Sequence, residues 1–122
     1  MLFPLVIGIV IYLLTRPEHT LLSFLIPHGY VKLPDWVTFN LPDGLWLFTL
    51  LNGYCIVWGK QNYKPNMIWI VGTALLAAGT EVLQKFHIVG GTFDLLDISF
   101  YFIAFLATTI LYFTNHLNPI KN

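Results

Sequence analysis

Three carboxylates sit where a chain this apolar can least tolerate them. The stretch from Thr80 to Tyr101, TEVLQKFHIVGGTFDLLDISFY, carries Glu81, Asp94 and Asp97, half of the six acids in the molecule. Each lies inside or beside an apolar run long enough to cross a bilayer. A charge there requires a partner, a cavity or a water-facing edge. Glu81 with Gln84, and Asp94 with Asp97, are spaced i, i+3, so each pair projects from one side of its helix. If the two helices form a hairpin through Gly90 and Gly91, both pairs meet at one membrane face. Asp43, at the start of an earlier apolar run, arrives at the same level. Glu81, Gln84, Thr92, Asp94, Asp97 and Asp43 thus form a candidate polar cluster, with His87 and His28 as neighbours.

Three chemistries suit such a cluster. It can be structural, with Asp43 and Asp94 as N-caps and Asp97 in a first helical turn, where the dipole favours negative charge. Glu81 would then pair with Lys85 one turn on. It can bind the headgroup of a lipid or a cell-wall component through carboxylates, Gln84 and Thr92. It can hold a hard cation or supply a general base, because crowded carboxylates raise one another's pKa. No HExxH, nucleophile elbow or phosphate loop is present, and no nucleophile stands out. Ser99 and Thr80 read as helix-packing residues, and His19 and His116 as surface ones. No catalytic residue, metal ligand or cofactor is assigned.

The elements that position these residues are read from hydropathy. Hydrophobic residues make up 57% of the 122 and charged residues 10%, against about 25% charged in soluble domains. So short a soluble chain could not hide that apolar surface, so the composition implies an all-α polytopic membrane protein of one domain. Six bases balance six acids, which leaves no global charge to attract nucleic acid. Cys55 has no second cysteine to pair with and reads as a small buried hydrophobe.

Four transmembrane helices are expected, at about 1–15, 43–58, 67–86 and 95–114. The first lacks the basic start and cleavage site of a signal peptide and reads as a retained helix, short at about 22 Å. Arg16 and Pro17 end it. Residues 17–42 form a long loop, too apolar for disorder and suited to lying on the bilayer surface. In the second helix Trp46 and Trp58 suit the two aromatic belts, and Asn52 should face other helices. In the third, Thr73 with Ala77 and Ala74 with Ala78 make a close-packing stripe that Glu81 continues, so Glu81 should point at a neighbouring helix. Lys60 and Lys64, in the shortest loop, favour both termini on the cytoplasmic side. All six acids then lie on the outer side.

The pattern Glu81-x-x-Gln84, a short glycine turn, then Thr92-Phe93-Asp94-Leu95-Leu96-Asp97 at the start of the last helix resembles the VanZ-like family of small bacterial membrane proteins. The similarity covers roughly the last 40 residues, and the stretch Leu41–Trp46 (LPDGLW) stands where that family has a polar motif opening a helix. This chain departs from the pattern at Gly91, where the family often has an arginine, and near Tyr101 and Ala104. The resemblance implies a multi-pass protein of the bacterial cytoplasmic membrane with membrane lipids as its surroundings. An envelope-associated binding role at the outer face is the first expectation. An accessory subunit docked to other membrane subunits is the alternative, and a membrane-embedded hydrolase or transferase the third.

Overall fold

In a computed structural model the residues described are 2–15, 32–58 and 63–117, the side chains of 63–65 and 115–117 excepted. The expectations that rest on Arg16, Pro17, His19, His28, Lys60, Lys121 and the side chains of Lys64 and His116 lie outside the described residues. So does the orientation drawn from them. All regular structure among the described residues is helical: α1 (Phe3–Thr15), α2 (Asp35–Thr38), α3 (Asn40–Trp58), α4 (Tyr63–Lys85) and α5 (Leu95–Leu117).

Two segments are long and apolar enough to cross a membrane, Asn66–Lys85 and Leu95–Thr114, with mean hydropathies of 1.4 and 1.8. Only 17% of each is buried, the reverse of a core helix in a soluble protein. Large apolar side chains such as Leu75, Leu76, Phe102, Ile103 and Ile110 point outward from them, and a surface of that kind matches lipid better than water. α1 is apolar but has 13 residues. α3 has 19 but interrupts its apolar run with Asn40, Asp43, Thr49 and Asn52, and it falls outside the two candidate spans.

α3 is the centre of the packing, in contact with α1, α2, α4 and α5. Against α5 it runs parallel in a constant register. Asn40 meets Asp97, Gly44 meets Phe100 and Asn52 meets Thr108, so at these three points α3 faces residues 56 or 57 positions later. Gly44 permits this approach: a Cβ there would lie 3.0 Å from Cβ of Phe100. Deeper in the bundle, the Asn52 amide donates to Thr108 Oγ1 at 3.0 Å and to the Phe48 carbonyl at 2.7 Å. Both residues are buried, so the inward orientation expected of Asn52 is the one observed. Leu47, Leu51, Ile70 and Ala104 fill the core around this bond.

The start of α3 differs from the expectation. The helix begins at Asn40, not beyond Asp43, and Asp43 is its fourth residue rather than its N-cap. Pro42 is compatible with this because the first four helical N–H groups have no partner within the helix to lose. The loop before it ends in structure as well. α2 leads into α3 through the single residue Phe39, and Trp36 stacks on Phe100 with centroids 6.3 Å apart.

α4 ends in a Schellman motif. The N–H of Ile88 donates to the Leu83 carbonyl at 3.0 Å, and that of His87 to the Gln84 carbonyl at 2.9 Å. His87 takes the left-handed conformation that closes the motif, with φ 56°, where glycine is the usual residue. Gly91 adopts φ 134° further on, and there the absence of a side chain is required. A Cβ at Gly91 would come within 2.7 Å of the Gln84 amide.

Candidate functional site

The turn from α4 to α5 delivers Asp94 as the N-cap of α5. Its Oδ1 accepts the N–H of Leu96 at 2.8 Å, satisfying one of the donors that a helix start leaves over. Asp97, one turn later, lies in the first turn of the same helix. The backbone N–H of Asp94 donates to Glu81 Oε2 at 3.3 Å, which ties the end of α4 to the start of α5.

Asn40 ties both to α3. Its Nδ2 donates to Asp94 Oδ2 and to Asp97 Oδ1, each at 2.8 Å. An ionised carboxylate only accepts, and the amide nitrogen has two hydrogens to give, so one amide bridges two acids without a counter-ion. Asn40 is 2% exposed and Glu81 4%. With the Asn40 amide first and the Leu96 N–H second, the donors around Asp94 hold its carboxyl below the ordinary aspartate range.

These residues wall a recess of about 480 Å³ at the polar ends of both candidate spans. All six residues expected to cluster, Glu81, Gln84, Thr92, Asp94, Asp97 and Asp43, line it. Asp35 adds a fifth carboxylate and Asn40 an amide. Glu81 turns inward, as its place on the small-residue stripe of α4 requires. Its hydrogen-bond partner, however, is the Asp94 backbone rather than Lys85. The ammonium of Lys85 lies over the Phe93 ring, 5.3 Å from the centroid. His87 is exposed and stands outside the recess wall. Ser99 and Thr80, expected to pack between helices, are exposed and donate to carbonyls of their own helix, Leu95 and Ala77.

Sequence reasoning missed Asn40, which it left at the end of a loop. A signal was present in Asn40-Leu41-Pro42-Asp43, an Asx residue followed by proline and an acid, which is the composition of a helix start. The expected boundary at Asp43 concealed it. Among the described residues no group of three or more histidine, cysteine, aspartate or glutamate side chains is placed to hold a metal ion. What the recess offers is five carboxylates as acceptors, with the Gln84 amide and the Thr92 hydroxyl able to donate beside them.

Compared with models of protein families, with curated proteins and with solved structures, the chain finds no match. The likeness to the VanZ-like family therefore rests on the residues quoted above.

Proposed function

We propose that this chain is a VanZ-like protein of the bacterial cytoplasmic membrane, with α1, α3, α4 and α5 as four spans and an acidic recess at the outer face that binds a polar headgroup. The observation that carries the binding role is the convergence of five carboxylates on one recess. Capping alone accounts for Asp94 and Asp97. It leaves out Glu81, a buried acid to which the described residues bring one hydrogen bond at 3.3 Å. A buried carboxylate is costly unless donors or a cation reach it, and a headgroup with hydrogen-bond donors supplies them.

The test is a panel of soluble headgroup compounds added to the purified protein in mild detergent: glycerophosphoethanolamine, glycerophosphoglycerol and a muramyl peptide. At least one should raise the unfolding temperature. Glu81→Gln and Asp97→Asn, made separately, should each abolish that rise while leaving helicity intact. A panel without effect, or a response that persists in both variants, refutes the binding role.

A further inference from the structure

α3 and α5 are held together tightly, and α4 is not. Between α3 and α5 the bond from Asn40 to Asp97 is 2.8 Å long and that from Asn52 to Thr108 3.0 Å, with Gly44 against Phe100 in between. The bonds that tie α4 to its neighbours are longer. Thr73 Oγ1 donates to the Tyr54 hydroxyl at 3.3 Å, and the Asp94 N–H donates to Glu81 Oε2 at 3.3 Å. Each exceeds the usual length for its type. Space also lies on both sides of the inward face of α4. A groove of about 670 Å³ between α1, α3 and α4 has Thr73, Ala77 and Thr80 in its wall. A slot of about 230 Å³ between α4 and α5 has Ala74 and Ala78 in its wall, and Tyr101 borders both.

Small residues let helix backbones approach, yet Ala74, Ala77 and Ala78 are only half-buried. The sequence of α4 therefore admits a closer packing than the one observed. Closing the gaps regains dispersion contacts between protein atoms that open space forfeits. Asn66, the first residue of the span Asn66–Lys85, lies at the end of α4 remote from the turn into α5. It is 0% exposed, and neither its Nδ2 nor its Oδ1 has a hydrogen-bond partner. A buried amide is costly until its polar atoms are bonded. The Cys55 thiol of α3 stands beside it, so a small approach of α4 supplies the bond. The observed arrangement leaves contacts of α4 unmade and a closed one makes them, which is the difference between states that a switch requires.

The geometry points to α4 as a movable rod that pivots on the turn into α5 and closes its small-residue face onto the fixed pair of α3 and α5. Closure narrows the groove and the slot together and brings the Asn66 amide onto the Cys55 thiol. The turn carries Gly91 at φ 134° and His87 at φ 56°, and a hinge needs only a few such residues outside the helices. The displacement is largest at Asn66, the far end of the lever.

Double electron–electron resonance on the full chain in lipid nanodiscs tests it. The background is Cys55→Ser, in which serine keeps a hydrogen-bonding group beside Asn66. Spin labels on Ile68→Cys and Ile110→Cys pair α4 with α5, and labels on Ile56→Cys and Ile110→Cys pair α3 with α5. All three positions are exposed and border neither cavity. The first pair should show two distances, the shorter by about 2 Å, the scale of a helix shift in a packed bundle. The second pair should show one. Ala77→Leu, which fills the approach, should remove the shorter distance. Asn66→Leu should lower the share of the shorter distance relative to the longer about fivefold, the value of one hydrogen bond. A single distance from the first pair overturns the proposal before either of these substitutions is made. Two distances from the second pair overturn it too, because the whole bundle then breathes and α4 is not the moving part. A shorter distance that survives Ala77→Leu, or proportions unchanged in Asn66→Leu, overturns it as well.

Discussion

Replacing Asn40 with alanine removes the amide that holds two acids together. Asn40 is 2% exposed, and its Nδ2 donates at 2.8 Å to oxygens on both Asp94 and Asp97. A hydrogen bond to a charged acceptor contributes about 1.5–3 kcal/mol. The Asp94 oxygen is open to water and regains a partner there, so its loss is set aside. Only the bond to Asp97 is counted, and part of that returns as water enters the recess. The expected loss for Asn40→Ala is therefore about 2 kcal/mol, read from reversible unfolding by SDS titration in mild detergent and followed by circular dichroism. A double-mutant cycle with Asp97→Ala, which removes the acceptor, isolates the pair and should show a coupling of about 1–2 kcal/mol. Two results refute the reasoning: Asn40→Ala within about 0.5 kcal/mol of the unaltered protein, or additivity of the two changes. Either one would mean that the acids tolerate each other without the bridge.

Three further outcomes are expected. Gly44→Ala places a methyl group 3.0 Å from the Phe100 Cβ, an atom close to the backbone that cannot swing aside. α3 and α5 must separate, at a cost of about 1–3 kcal/mol in the same unfolding assay. Gly91→Ala should cost about 1–2 kcal/mol through its φ of 134°, and adding Gln84→Ala should restore little, because the Gln84 amide is the free end of a flexible side chain. The third outcome concerns acid. The folded-state value of Asp94 lies below its ordinary 3.8, so the contribution of its carboxylate is fully present above that range and is lost as pH falls through the folded value. Unfolding midpoints measured from pH 6 down to about pH 2 should fall more steeply for the unaltered protein than for Asp94→Asn; parallel curves would count against the cap.

Much of the site could be read from spacing. Glu81 falls on the same helical face as Ala74, Ala77 and Ala78, a stripe that only a neighbouring helix can cover, and the residue is 4% exposed. Asn52 sits in an apolar run where an amide needs an inward partner, and it has one in Thr108. The i, i+3 pairs meet because a tight turn joins α4 to α5. Where the structure departs, a polar group near a helix end is satisfied across the fold rather than locally. Asp43 was expected to cap its own helix and lies within it. The structural reading of the cluster would pair Lys85 with Glu81 one turn back, yet its ammonium lies over Phe93. The turn expected at His87–Thr92 is present, with Gly91 at positive φ and His87 taking a left-handed step as well.

Composition and periodicity by themselves determined that the described chain is helical, that two of its helices carry enough apolar length to cross a membrane, and which face of α4 turns inward. Those properties depend on neighbours within a few residues. That Asn40 stands between Asp94 and Asp97 depends instead on α3 and α5 lying parallel, 56 to 57 positions out of register in sequence. A bond across 54 and 57 residues has no local signature. The packing of Gly44 against Phe100 and the buried Asn52–Thr108 bond hold that register, and with it the recess where five acids share one wall.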